Sequence, residues 1–153
     1  MLMAEAELRG AISPQDYGIE PGALDPASAA FLRMLKDSSA RNTPVFLPPG
    51  HYQIGDIELP ENVRIEGVAG ATRLIYTGSG KFISGRTTKR LHLSNLVIDG
   101  GNRWLADDQP GLLTLKGIES LRIEDCDILG AAKFALWAER CRGRISGNAI
   151  SGA

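Results

Sequence analysis

Three segments in the second half of the chain align with one another, and this repetition constrains the fold more than any other feature. They read LHLSNLVIDG (residues 91–100), LRIEDCDILG (121–130) and GRISGNAISG (143–152), at offsets of 30 and then 22 residues. A fourth segment, VRIEG (63–67), begins 28 residues before the first. Recurrence at such spacings is typical of a solenoid, in which each repeat buries its core against the next.

The residues between these repeats show further strand patterns and no helical period. GLLTL (111–115) and FALWA (134–138) are short apolar runs, so each turn of the solenoid is predicted to be β. Stacking would form two inward columns, one of Leu93, Ile123 and Ile145 and one of Ile98, Ile128 and Ile150. The sequence therefore predicts an all-β, right-handed parallel β-helix, with coils about 4.8 Å apart.

An amphipathic helix is predicted near residues 26–38, before the first coil. Asp25 is a suitable N-cap, and Pro26 fits the first helical position, where its missing N–H has no cost. The apolar stripe of this helix consists of Ala30, Phe31, Met34 and Leu35. Because an open coil end exposes strand edges and core, we expect this helix to cap the solenoid.

The segment FLPPGHY (46–52) separates two apolar runs that both resemble strands. A Pro-Pro pair cannot lie inside a central strand, because each proline removes a ladder donor and fixes φ. We therefore expect a rigid corner that leads from the capping helix into the first coil. The predicted organisation is a single domain, with an N-terminal cap over residues 1–50 and stacked coils over residues 51–153.

The charge and composition of the chain do not favour any particular class of binding partner. With 17 basic and 18 acidic residues, the net charge of −1 does not draw the chain toward nucleic acid or membrane. No apolar run is long enough for a membrane span, and no signal peptide is visible. Cys126 and Cys141 show no metal-ligand spacing to either histidine, so they are predicted to be free buried thiols or, alternatively, a disulfide.

Residues 16–74 contain DYG, an Asp-capped helix, LPPGHY and an IxG strand, and this order resembles the N-terminal module of pectin-lyase-like β-helix proteins. The later segments LVIDGGNRW and CRGRISGNAISGA are similar to bacterial twin-arginine-translocated repeat proteins without an established activity. The resemblance implies export to the periplasm or beyond. Such relatives run through more coils, so a fragment or a shortened member is expected. The catalytic motifs of pectate lyases, polygalacturonases and mannuronan epimerases are absent from the sequence.

Outward positions of the repeat strands align into a basic column beside an acidic and hydroxyl column. The first column contains Arg64, His92, Arg122 and Arg144, and the second contains Glu66, Ser94, Glu124 and Ser146. Because arginine grips carboxylates bidentately, the first column is a candidate track for an acidic polysaccharide such as a polyuronide. The alternative is a solvated face whose neighbouring charges neutralise one another.

The longest repeat owes its surplus to the loop GNRWLADDQPG (101–111), which is a second candidate site. Arg103 and Trp104 could hold a sugar ring, and Asp107 with Asp108 could act as an acid/base pair or bind Ca²⁺ as a cofactor. We expect this loop to lie near the His92 column. The alternative is an ordinary surface loop. Asp99 is either catalytic or orders its own turn.

Two functions of different classes follow from these features. The first is an exported carbohydrate-active β-helix that binds or cleaves an acidic polysaccharide, as a lyase or a glycoside hydrolase if it is an enzyme. The second is a non-enzymatic solenoid scaffold or adhesion module that self-associates through its C-terminal coil. In that coil Ile145 and Ile150 point inward and need a layer below them.

Overall fold

The computed structural model describes residues 10–152, which form about four stacked turns of β-strand. The first turn contains β1 (Val45–Phe46), β2 (Gly50–Ile54) and β3 (Ile57–Glu58). The second contains β4 (Asn62–Glu66), β5 (Thr72–Tyr76) and β6 (Ile83–Gly85). The third contains β7 (Arg90–Ser94), β8 (Val97–Asp99) and β9 (Gly111–Lys116). The fourth contains β10 (Ser120–Glu124), β11 (Asp127–Leu129) and β12 (Phe134–Glu139), and β13 (Gly143–Ser146) and β14 (Ala149–Ser151) follow it.

These strands make three sheets in which all the pairings are parallel. The first sheet has the order β1-β4-β7-β10-β13, the second has β2-β5-β8-β11-β14, and the third has β3-β6-β9-β12. Each sheet takes one strand from each turn, so the chain winds around a common core. The predicted parallel β-helix is confirmed.

The repeat alignment also gives the correct register between coils. Leu93 pairs with Ile123, and Ile123 pairs with Ile145, as the first inward column requires. The second column pairs in the same way, since Ile128 lies between Ile98 and Ile150. The members of both columns are buried in the third and fourth coils. Ile145 and Ile150 are 48% and 54% exposed, because no described strand lies beyond β13 and β14.

A 3-10 helix (Pro14–Tyr17) and an α-helix, α1 (Ser28–Ala40), precede the strands. Phe31, Met34 and Leu35 of α1 are buried in the same core as the strands, which confirms the predicted capping helix. Two serine side chains attach α1 to the coils: Ser28 Oγ accepts from Gly55 N at 3.0 Å, and Ser39 Oγ accepts from Asn62 N at 3.1 Å. No helix within the described residues is long and apolar enough to cross a membrane.

The predicted start of α1 is wrong by two residues. The N-cap is Ala27, which makes no side-chain capping bond, and Asp25 and Pro26 lie before the helix. The physical reason is a tertiary contact: the Ala27 N–H donates to the Gln53 carbonyl of β2 at 2.9 Å. This bond ties the entry of the helix to the first coil, so the local capping preference of Asp25 does not decide where α1 begins.

The Pro-Pro corner lies inside the first coil rather than before it, because β1 already pairs with β4 in the first sheet. It turns the chain from the first sheet to the second. The Tyr52 hydroxyl donates to the Pro48 carbonyl at 2.7 Å, which fixes the corner from within. At its end Gly50 has φ +139°, and a Cβ there would lie 2.3 Å from Pro21 Cβ, so the position requires glycine.

The inward columns give a stability prediction with a matched control. Ile123→Ala should lower the free energy of unfolding by about 2–5 kcal/mol, because the side chain is fully buried between neighbouring coils. Ile145→Ala makes the same chemical change in the same column at a half-exposed position, and should cost roughly 1 kcal/mol or less. Urea unfolding followed by circular dichroism measures both. Equal losses would contradict the assigned register and burial.

Candidate functional site

The four residues of the predicted basic column lie in one row across the first sheet. Arg64 pairs with His92, His92 with Arg122, and Arg122 with Arg144, each on a neighbouring strand. We call this row the basic ladder. On β4, β7 and β10 these side chains alternate with buried aliphatic residues, so they point away from the core, and Arg144 on β13 continues the row in register. The acidic and hydroxyl row of Glu66, Ser94, Glu124 and Ser146 runs beside it in the same register.

The side chains of the basic ladder differ in the contacts they make with neighbouring residues. The Arg64 guanidinium donates from Nη2 to the Asn42 carbonyl at 2.7 Å. Glu124 lies between two members, with its carboxylate oxygens 3.6 Å from Arg122 Nε and 3.9 Å from His92 Nε2. The Arg122 side chain is 56% exposed, and Arg144 is exposed as well. Exposed pairs of this kind contribute little to stability, so the ladder remains open to solution ions.

A recess of about 210 Å³ opens at the upper part of the ladder. Its lining residues are Pro44, Arg64, Ile65, Glu66, His92 and Ser94. The Nε2 atom of His92 is buried and has no hydrogen-bond partner among the described residues, since Glu124 is too distant. A buried polar atom without a partner is costly, so an oxygen acceptor or donor placed in this recess would be favoured there.

The loop of residues 101–110 does not lie beside the ladder, and the expectation that it does is wrong. The loop joins β8 to β9, so it lies at the corner between the second and third sheets, whereas the ladder is on the first sheet. The reason is the two-residue turn between β7 and β8, which places the whole second sheet between His92 and the loop. The candidate residues therefore form two separate surfaces.

The individual residues of the loop corner have distinct environments. Trp104 is 64% exposed, and Arg103, Asp107 and Asp108 are exposed as well. Asp99, at the start of the corner, accepts from Gly101 N at 2.9 Å and pairs with the Arg73 guanidinium at 2.9 Å. Its carboxylate is thus occupied by its own turn and by the preceding coil, which favours the turn-ordering interpretation over catalysis.

Sequence reasoning missed two residues that hold these candidates in place. Asn42, whose carbonyl binds Arg64, follows α1 and belongs to no repeat, so the alignment gave no signal for it. Arg73 lies 26 residues before Asp99, which is within the range of the repeat spacings. A search for opposite charges one repeat apart could have found this second pair.

No group of three His, Cys, Asp or Glu side chains within residues 10–152 is arranged to hold a metal ion. Comparison with known proteins gives no match, since no family model, no curated protein and no solved structure is similar to this chain at a significant level. The fold is that of a parallel β-helix solenoid with a helical N-terminal cap. Membership of the pectin-lyase-like or twin-arginine-translocated proteins stays a prediction.

Both cysteines are free thiols, of which Cys126 is buried and Cys141 is partly exposed. Burial is the main cause that raises the pKa of the Cys126 thiol to about 11, so this group stays protonated well above neutral pH. Because the thiolate is the reactive form, Cys126 should be inert in the folded protein.

Titration of thiols with a chromogenic disulfide reagent at pH 8 tests this directly. In the folded protein only Cys141 should react quickly, and both cysteines should react after unfolding in guanidinium. In a Cys141→Ala variant the fast reaction should disappear, because Cys126 is both inaccessible and protonated at this pH. Absence of reactive thiol in the unfolded wild type would indicate a disulfide and contradict the free-thiol assignment.

Proposed function

We propose that the protein is an exported β-helix protein that binds an acidic polysaccharide along the basic ladder. The observation that carries this proposal is the in-register row of Arg64, His92, Arg122 and Arg144 on four neighbouring strands. Parallel strands lie about 4.8 Å apart, which is close to the length of one sugar unit. A polyuronide chain running across the strands would meet one cationic or imidazole side chain per coil.

The chemistry of the ladder fits carboxylates better than uncharged ligands. A guanidinium presents paired N–H donors that match the two oxygens of a carboxylate. Arg122 and Arg144 are both exposed and lie on adjacent strands, so they can contact consecutive sugar residues. The recess beside His92 supplies a further polar position, where the unpaired Nε2 can interact with a sugar oxygen.

The geometry supports binding of the polysaccharide rather than its cleavage. Asp107 and Asp108, the carboxylates proposed as an acid/base pair, lie at another corner of the solenoid. Glu124 is on the ladder itself and offsets part of its positive charge. We therefore expect weak binding that depends on ionic strength, as for other exposed charge contacts.

Titration with polygalacturonate and with alginate tests the ladder. The Arg122→Ala, Arg144→Ala double variant should bind at least about tenfold more weakly than the wild type, because it loses two charge-assisted contacts. Added salt should weaken the binding of the wild type. The matched control is the Arg33→Ala, Lys36→Ala double variant, which also removes two exposed positive charges but on α1. Equal affinities for the two double variants, or no binding by the wild type, would rule the proposal out.

A second candidate function is an assembly module, which is favoured by the apolar surface of the last coil. Phe134, Ile145 and Ile150 are each about half exposed or more. A recess of about 580 Å³ is lined by Lys133, Phe134, Ala135, Leu136 and Ile150. We propose that a second copy of the chain covers this surface in a closed two-fold dimer, since exposed strand edges and apolar ends promote association.

Light scattering at micromolar concentration tests this second candidate. The wild type should have the mass of a dimer, and Ile145→Lys should shift it toward the monomer because a charge would be buried in the interface. Arg33→Ala on α1 should leave the mass unchanged. A monomeric wild type would contradict the assembly proposal without affecting the polysaccharide proposal.

A further inference from the structure

Trp104 is the most exposed aromatic side chain among the described residues, at 64%. It follows β8 in the third coil, and the fourth coil lies beyond it. Its exposure therefore arises at the loop corner and not at the last described strands. The indole is therefore accessible to a ligand while the neighbouring coils stay in place.

The backbone on both sides of this indole is fixed. The hydroxyl of the buried Tyr76 donates to the Trp104 carbonyl at 2.7 Å. Leu105 is buried and forms a parallel bridge with Gly80, whose carbonyl accepts from Ala106 N at 2.8 Å. The loop thus continues the stacking of the coils through this corner, so Trp104 projects from a rigid base.

Two glycines of the preceding coil make room for the side chains of the loop. A Cβ at Gly80 would lie 3.0 Å from Cζ3 of Trp104, so the indole rests close against this backbone. A Cβ at Gly78 would lie 3.4 Å from Cδ and Nη1 of Arg103. The glycines form a shelf that supports the ring and the guanidinium, and much of the indole remains open to solvent.

The polar groups around the shelf are available for a ligand. Arg103, Asp107 and Asp108 are exposed, and within residues 10–152 no ion pair involves any of them. An exposed indole on a fixed backbone, with the Arg103 guanidinium on the same glycine shelf and Asp107 three residues further along the loop, offers an apolar surface with polar groups in the same loop. A pyranose ring has the complementary pattern, since it presents C–H groups on its face and hydroxyls around its rim.

We infer that Gly78, Gly80, Arg103, Trp104 and Asp107 form a second saccharide site, which binds a pyranose ring by stacking it on Trp104. The site is separate from the basic ladder, because the second sheet lies between them. It recognises the face of the ring rather than a negative charge. The two carboxylates of the same loop, Asp107 and Asp108, disfavour a phosphate-bearing ligand, so a nucleic acid base is the less suitable occupant.

The test uses neutral oligosaccharides. These sugars carry no negative charge, so the basic ladder does not attract them electrostatically. Cellohexaose, xylohexaose and mannohexaose are titrated against the full chain by calorimetry. At least one should bind with little dependence on salt, and Trp104→Ala should weaken this binding at least about tenfold, because the stacking surface is lost. Trp104→Phe should retain part of the affinity. Trp137→Phe is the matched control, since Trp137 is partly buried and donates to Glu139 at 2.7 Å.

The outcomes separate this inference from the proposed function. The Arg122→Ala, Arg144→Ala variant should bind the neutral probe like the wild type, and Trp104→Ala should retain salt-sensitive binding of polygalacturonate. The inference is overturned if none of the three hexasaccharides binds, or if Trp104→Ala binds the probe as tightly as the wild type. It is also overturned if a single-stranded oligothymidylate binds at Trp104 while all three sugars fail.

Discussion

Stacking of aliphatic side chains in register between successive coils is the interaction on which the rest of this structure depends. Ile123 lies between Leu93 and Ile145 in one column, and the second column repeats the arrangement. Parallel pairing with a side-chain period of two leaves no freedom to shift by one residue, because a shift would turn the core outward. The same constraint fixes the outward rows, so the basic ladder is a direct consequence of how the core packs.

The corners of the coil determine where the chain can vary. Between the first and second sheets each turn of the later coils has only two residues, and the first of them is Asn95, Asp125 or Gly147 with φ of 57°, 54° and 68°. These residue types tolerate the left-handed conformation that so sharp a corner needs. Between the second and third sheets the connections differ in length, and the one in the third coil carries Trp104. The uniform corner thus leaves one regular outward face, which carries the basic ladder, and the variable corner allows a longer loop, which carries Trp104.

The repeats predicted the architecture well because core packing imposes the same spacing on the sequence and on the structure. Each aligned aliphatic residue pairs with its predicted partner, and so does each residue of the ladder. The start of α1 and the place of the Pro-Pro corner were not predictable, because both depend on tertiary partners, the Gln53 carbonyl and the pairing of β1 with β4. The separation of the loop from the ladder follows from the three-sided cross-section, which spacing along the chain does not reveal.

The register of the ladder is the claim that supports both the fold and the proposed function, and spin labelling measures it directly. Nitroxides would be attached at His92→Cys and Arg122→Cys together, in a background with Cys126→Ala and Cys141→Ala. The two backbones lie on adjacent parallel strands about 4.8 Å apart, so the spectrum should be strongly broadened by spin–spin interaction. A spectrum equal to the sum of the two singly labelled proteins would mean that these residues are not neighbours, and would contradict the account.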